Sequence, residues 1–472
     1  MNEALTEYRK ERDGKGKVAK DRQILNLLSV LLQVAVKHLI YPFVFLFVFL
    51  IPATYADEGL RNRLKDEHSR NGDHWIYNDI EGGFAEAKRT GKPLFITFRC
   101  VPCEACEGFD AEVAKGSENL MELAREKFVC VRQVEMKGVD LSLFQFDKDL
   151  SWAAMFLNAD RTIYARYGTQ SAEGSDAYNS LTSLKKTMER VLALHARYPG
   201  NAAMLKGKTG KPLPYRTAME MPGLKNKDKY ARKTERQNCI HCHNIHDAEY
   251  AWAQKKGNFS IQMLWRYPLP ENLGIQIERD DGTLVKSVKP GSPASRAGVR
   301  TGDHLWYADG QVLASISDLQ WVLHNLSGGS TSVTLRVGRA GVSQSLVLRL
   351  PVNWKKTDFS WRGSMYSIDP KLGFWAVPLK PEELAKRKIQ VRGKAFVIKW
   401  INQSSPAGRE LFKAGVKQND VLVEYAGKPI EMDMRGMNAD LKINYKVGQR
   451  LPLTVIRGGK RIEAQVKLVA ND

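Results

Sequence analysis

The chain has 472 residues, enough at roughly 100–200 residues per domain for about three domains, and its 43% apolar content is ordinary for a chain that folds. A formal net charge of +20 suits anionic surroundings such as lipid headgroups, polyanions or acidic proteins, or is simply a solvated basic surface. Cys100, Cys103 and Cys106 form one cluster and Cys239 and Cys242 another, with Cys130 apart; this argues against a dispersed disulfide framework and for local redox or cofactor chemistry.

Residues 1–23 are polar and carry Arg9, Lys10, Arg12, Lys15, Lys17, Lys20 and Arg22. An apolar stretch, 24–53, follows, broken by Lys37 and His38 and ending in Pro52-Ala53-Thr54-Tyr55-Ala56. A basic lead, a short apolar core and a small residue before a cut after Ala56 resemble a secretory signal, so 1–56 is read as signal peptide or signal anchor. The anchor reading needs about 20 apolar residues and puts Lys37 near mid-membrane, at a cost of a few kcal/mol. Either way the remainder is expected in the periplasm or cell envelope, where disulfides form and nucleic acid is not an expected partner.

In 70–197 the elements come in order. Trp75-Ile76-Tyr77 is a short strand, and Asp79 caps a helix that Gly91-Lys92-Pro93 ends. Leu94-Phe95-Ile96-Thr97-Phe98 suits a strand buried on both faces. Arg99-Cys100-Val101-Pro102-Cys103-Glu104-Ala105-Cys106 follows, then helix-like sequence and a strand over 128–134 that buries Cys130 as an apolar residue. Residues 155–168 read as a hairpin closing on Tyr167-Gly168, and an amphipathic helix runs from about Ser180 to His195. This order, with a Cys-x-x-Cys where a strand meets a helix, resembles the thioredoxin superfamily. Counted from Phe98, the family's pair falls on Cys103 and Cys106. The resemblance implies that Cys103 attacks and Cys106 resolves. A thiol at a helix N-terminus is stabilised as thiolate by the dipole and unpaired N–H groups, and a second thiol one turn on can resolve a mixed disulfide. Cys100 and Cys103 form a second Cys-x-x-Cys. The family's cis-proline position falls near Ser151-Trp152, where no proline stands. A soft metal such as Cu(I) or zinc, or a structural site, are the alternatives.

Residues 198–262 read as a basic linker without periodicity. In it stands Cys239-Ile240-His241-Cys242-His243, which matches the c-type haem attachment motif: two thioethers to the porphyrin and His243 on iron. This is similar to cytochrome c over five residues. Met263, Met221, Met219 or an external group would have to supply the sixth ligand. Zinc on Cys239, Cys242, His243 and His246, or a Cys239–Cys242 disulfide, are the alternatives.

The rest contains an internal repeat. Asn272-Leu273-Gly274-Ile275, then Ser292-Pro293-Ala294, Ala297-Gly298-Val299 and Asp303, return as Lys371-Leu372-Gly373-Phe374, Ser405-Pro406-Ala407, Ala414-Gly415-Val416 and Asp420. Both copies closely resemble bacterial HtrA-type PDZ domains, assigned to 263–352 and 371–472 with a linker at 353–370. The resemblance implies that the Leu-Gly-hydrophobic loop offers N–H groups to a peptide's terminal carboxylate, and that the peptide adds as a strand. Leu273, Gly274, Ile275, Ile277, Leu319 and Val322 are then pocket residues of the first module, with a helix over 317–324 as groove wall. Leu372, Gly373, Phe374 and Ala376 correspond in the second; any of the apolar ones can equally be core. No serine protease domain accompanies the pair, since Leu326-Ser327-Gly328-Gly329-Ser330 reads as a loop.

The fold class expected is multidomain: an α/β thioredoxin-like domain plus two β-rich PDZ domains, partly open β-barrels with helices. The arrangement resembles envelope proteins of environmental bacteria such as planctomycetes. The expected function is an exported thiol-disulfide redox protein that binds peptide C-termini, with haem c or zinc as candidate cofactors. A non-enzymatic envelope scaffold and a haem electron carrier are the alternatives, and a membrane surface is a further candidate partner.

Overall fold

A computed structural model describes residues 58–66, 74–101, 107–115 and 118–470. The signal or anchor segment and the pair Cys103/Cys106 lie outside the described residues. Among the described residues no helix is long and apolar enough to cross a membrane.

Helix α1 (Glu58–Leu64) precedes β1 (Trp75–Tyr77), α2 (Ile80–Thr90), β2 (Leu94–Arg99), α3 (Glu107–Lys115), α4 (Glu118–Lys127), β3 (Val129–Gln133), β4 (Trp152–Leu157), β5 (Ile163–Tyr167) and α5 (Leu181–His195). The strands form one sheet in the order β1-β3-β2-β4-β5, with β1, β3 and β2 mutually parallel and β4 antiparallel to β2. The apolar run 94–98 makes β2 the central strand, buried at every position, as a strand covered on both faces must be. Leu94, Ile96 and Phe98 enter one core and Phe95 the other, where it stacks on Phe156 at 5.0 Å. Asp79 caps α2 by accepting from Gly82 N at 2.8 Å, and Ser180 caps α5 by accepting from Ser183 N at 3.1 Å; such a cap contributes about 1 kcal/mol. Cys130 is buried in β3, and burial pushes its thiol up to about 12.

The segment read as a linker is folded. It forms α6 (Lys227–Ala231) and α7 (Cys242–Lys255), and Ile240, Cys242, Ile245 and Ala248 join the same core as Phe98 and Val131. The apolar positions of α7 are interspersed with histidines, acids and amides, which blurs its period in the sequence.

Next come β6 (Ile275–Ile277), β7 (Val285–Val288), α8 (Pro293–Ala297), β8 (His304–Ala308), β9 (Gln311–Val312), α9 (Ile316–Asn325), β10 (Thr331–Arg339) and β11 (Val342–Leu350). Strands β6 and β7 pair with each other, and β11-β10-β8-β9 form a second sheet. A similar order returns as β12 (Phe374–Pro378), α10 (Pro381–Lys386), β13 (Phe396–Ile401), α11 (Pro406–Lys413), β14 (Val421–Tyr425), β15 (Lys428–Pro429), α12 (Met434–Asn444), β16 (Arg450–Arg457) and β17 (Lys460–Lys467). The repeated residues do the same work in both copies. Asp303 takes the Arg339 guanidinium at 2.7 Å, while Arg339 also donates to Gly298 O at 2.7 Å. Asp420 takes Arg457 at 2.7 Å, and Arg457 donates to Gly415 O at 2.6 Å. Ser292 and Ser405 cap the short helices, accepting from Ser295 N and Gly408 N at 3.1 Å each.

The thioredoxin-like domain and the first β-rich module are docked through polar groups. Asp318 of α9 accepts from Arg166 N at 3.1 Å and Ala314 N at 3.0 Å, and the Lys208 ammonium lies 2.7 Å away. The Arg166 guanidinium sits 3.9 Å over the Trp321 ring, and Arg190 of α5 pairs with Asp281 at 2.8 Å. Every residue of α9 from Ile316 to Leu323 is buried in consequence.

Candidate functional site

Strand β2 ends at Arg99, and the cysteine loop opens at the next residue. Arg99 does not reach solvent. Its guanidinium pairs with Asp110 of α3, which also accepts from Arg132 Nη1 and Nη2 at 3.0 and 2.7 Å and from Trp152 Nε1 at 3.2 Å. Arg132 reaches Asp66 at 3.2 Å, and Tyr77 donates to Asp66 at 3.0 Å. Burial opposes the Asp66 charge, yet the two guanidiniums and the phenol together hold its carboxyl below the usual range. Two arginines and two aspartates thus form a neutral buried knot that ties the end of β2 to the helix after the cysteine loop. Trp152 is part of it, at the place where the resemblance would put a proline. The signal in the sequence is an arginine that follows the apolar run in each of two neighbouring strands, Arg99 in β2 and Arg132 in β3.

Cys100 lies at this end of the sheet, and its Sγ touches Nδ1 of His241, 141 residues away. The Cys-x-x-Cys-His segment is therefore folded onto the thioredoxin-like domain at Cys100. His241 precedes the first turn of α7, and its backbone N–H donates to Asn244 Oδ1 at 3.0 Å. Cys239 is enclosed by Leu60, Leu64, Tyr77, Val101 and Val134 and donates to Val134 O at 3.5 Å. Cys242 lies in the main core with Ile240 and Ile245. Burial, with Glu135 nearby, holds the Cys239 thiol far above its ordinary value. Burial pushes Cys242 up to about 11, against the opposing Lys148 charge. Both are neutral thiols near pH 7 and poor nucleophiles.

This packing does not fit the expected cofactors. A porphyrin needs both sulfurs and the following histidine to open on one bed, but the two thiols lie in different apolar clusters. His243 is half-buried against Gly363 and stacks on His241 with centroids 5.5 Å apart. Zinc on the same residues would need His246, whose Nε2 accepts from Lys148 N at 3.2 Å while Nδ1 contacts Glu249 at 3.0 Å. The buried cluster of Asp147, Asp149 and His246 is filled by the Arg362 guanidinium, 2.7 and 3.3 Å from the two carboxylates.

The peptide-binding candidates lie at matching places in the two copies. Leu273, Ile275, Ile277, Leu319 and Val322 all belong to the buried core of the first module, and Leu372, Phe374 and Ala376 to that of the second. Gly274 has φ +85°, and a Cβ there would fall 2.1 Å from Ser292 Cβ; Gly373 has φ +74°, and a Cβ there would fall 2.7 Å from Gly408 N. Only glycine suits either position. The first groove is covered by its own chain. Thr169, just past β5, bonds Gln320 Oε1 at 2.8 Å and Ser317 Oγ at 3.2 Å on α9. Across the groove, Tyr178 donates to Glu271 at 3.1 Å beside the Leu273-Gly274 loop, and Arg279, past β6, donates to Asn179 O at 2.9 Å. Tyr178 also packs on the module's core. Residues 169–179 are thus pinned to both walls, which no reading of either module alone could reveal.

Comparisons with known proteins agree with two of these units. The thioredoxin-like family model matches residues 75–159 and the PDZ domain model residues 272–350. The chain is therefore multidomain, with a thioredoxin-like α/β domain and a β-rich PDZ region. Over 191 residues it is 26% identical to "Probable periplasmic serine endoprotease DegP-like" of Marinomonas sp. (strain MWYL1), covering 40% of this chain and 38% of that protein. Among solved structures it is similar to an HtrA-type protease AlgW with decapeptide, at 15% identity and TM-score 0.18, over 30% of this chain and 50% of that one. A substituted form of AlgW with tripeptide aligns at 21% identity and TM-score 0.18, over 28% and 43% of the two chains. The chain spans half or less of the length of each of these relatives, and TM-scores this low carry no argument about the whole architecture.

Proposed function

We propose that this protein is an extracytoplasmic thiol-disulfide redox protein whose thioredoxin-like domain acts on clients recruited by PDZ modules. The observation that supports the reading is the contact of Cys100 with His241, which brings the Cys-x-x-Cys-His segment to the end of β2, where the cysteine loop begins. The Cys103 thiolate attacks a client disulfide, forming a mixed disulfide and releasing one client thiolate. Cys106 then attacks the Cys103 sulfur, so two electrons pass to the client, its second thiol leaves, and a Cys103–Cys106 disulfide remains for an external dithiol to reduce. Cys239 and Cys242, protonated and buried, stay out of this exchange and hold α7 against the domain.

The repeated Asp–Arg–carbonyl arrangement supports reading residues 371–472 as a second PDZ module. With the first groove covered by 169–179, the second is assigned the reading of client C-termini. The N-terminal signal pattern and the periplasmic relative support a location outside the cytoplasm. The test is dithiol-driven reduction of insulin. Cys103→Ser with Cys106→Ser is expected to lower the rate to the uncatalysed background, while Cys239→Ala with Cys242→Ala keeps it. An unchanged rate in the first variant would sink the proposal. It would favour a non-enzymatic envelope scaffold, the reading supported by Trp152 standing where the family keeps its client-docking proline.

A further inference from the structure

The sheet of the second module has two unlike faces. One covers the main core, with Leu372, Phe374 and Ile398. The other bears a smaller cluster of Leu379, Ala395, Val397, Val421 and Val423, onto which the insertion between β12 and β13 lays Leu384 and Ile389. That insertion stops short of two tryptophans. Trp375 and Trp400 are direct cross-strand partners and remain 56% and 54% exposed. Trp375 shares its face with Val377, two residues on, which packs on the smaller cluster. The Lys399 side chain, in the bulge beside Trp400, is exposed as well.

The surroundings of the pair are strongly basic. The insertion exposes Lys380, Lys386, Arg387, Lys388, Arg392 and Lys394 against Glu382 and Glu383. Residues 371–472 carry 20 Lys and Arg against 10 Asp and Glu, half the net charge of the whole chain. Adjacent indoles, one on the edge strand β12 and one on its neighbour β13, leave a large amphipathic area wet. Indoles settle at the headgroup level of a bilayer, and each cation beside an anionic leaflet contributes about 1 kcal/mol.

We propose that this face of the second module docks on an anionic lipid surface. The Trp375 and Trp400 rings enter the headgroup layer, and the long side chains of Lys386, Arg387 and Lys388 lie over lipid phosphates. Flexible cations on an insertion suit a fluid array of anions better than the fixed carboxylates of one protein partner. The free edge of β12 is not consumed, since β12 pairs only with β13 in the sheet.

The full chain is to be mixed with vesicles brominated on the acyl chains, made of phosphatidylcholine alone or with an equal part of phosphatidylglycerol. Anionic vesicles are expected to quench the tryptophan signal by up to the share of two of the chain's ten tryptophans. That increment is lost in Trp375→Ser with Trp400→Ser, and falls when salt shortens the Debye length. The N-terminal 56 residues contain no tryptophan, so an apolar segment there adds no signal of its own. The combined Lys386→Glu, Arg387→Glu and Lys388→Glu variant keeps both indoles and should lose the preference for phosphatidylglycerol; it carries the test if the serine variant fails to fold. Equal quenching of wild type and serine variant, or of neutral and anionic vesicles, would overturn the proposal and leave the face to a protein partner.

Discussion

Replacing Asp110 by Asn removes one charge from the buried knot at the end of β2 and almost no volume. In the native protein Asp110 accepts from Arg132 at 3.0 and 2.7 Å and from Trp152 at 3.2 Å, and it pairs with Arg99. In the variant an amide NH2 faces guanidinium donors. Asp66, 3.2 Å from Arg132 and 3.9 Å from Arg99, is left against two cations. Breaking a buried pair by removing one partner costs about 3–5 kcal/mol, and the retained amide oxygen argues for the lower end, about 3 kcal/mol. At roughly 3 °C per kcal/mol for a unit of this size, the transition that carries the near-ultraviolet signal of Trp152 should fall by about 10 °C. Calorimetry and near-ultraviolet circular dichroism on the full chain read the shift directly. A midpoint within about 1 °C of wild type, equivalent to a few tenths of a kcal/mol, would refute the view that this knot fastens α3 to the sheet.

Two other predictions concern the PDZ region. Burial, with Arg266 and Lys355 close by, pushes His324 down to about 3, well under its value of about 6.5 in an unfolded chain. The unfolded state therefore binds the proton first, so stability present above pH 6.5 is lost as pH falls from there toward 3. A full effect would be about 1.4 kcal/mol per pH unit; because part of the ring is accessible, about 1 kcal/mol should be lost between pH 6.5 and 5. Urea midpoints across that range should flatten in His324→Gln, and an unchanged slope would show that His324 does not set it. Tyr178→Ala should uncover the first groove, raising affinity for hydrophobic C-terminal peptides several-fold in fluorescence polarisation and speeding amide exchange over 169–179. Unchanged affinity and exchange would mean that this segment does not bar the groove.

The thioredoxin-like sheet was legible because its strands are short apolar runs between strong breakers, and Asp79 and Ser180 announce their helices. The repeat was legible because its turns and caps demand particular residues: glycine at 274 and 373, serine before proline at 292 and 405, aspartate at 303 and 420. What stayed hidden depends on distant partners. Helix α7 mixes its apolar residues with histidines, acids and amides, which blurs its period, and its docking on the sheet depends on partners far away in the chain. The role of His241 is set by Cys100, which lies 141 residues away. Charged residues such as Arg99, Asp110 and Arg132 look like solvent-facing positions until the fold brings them together. The covering of the first groove belongs to the junction between domains, so neither module's pattern contains it.

The segment pinned by Thr169 and Tyr178 gives the first PDZ groove an admission threshold. A peptide must wait for the covered state to open, so its apparent Kd is the intrinsic one divided by the open fraction. If one molecule in a hundred is open, the penalty is roughly 2.8 kcal/mol. Weak, abundant C-termini are then ignored, and only strong ones register. The same segment continues directly from β5, in the sheet whose central strand ends at the cysteine loop. Any change at the thiols that loosens this segment lowers the threshold, and by thermodynamic reciprocity a bound peptide must shift the thiol equilibrium by the same factor. The groove and the redox loop would then read one another without sharing a residue.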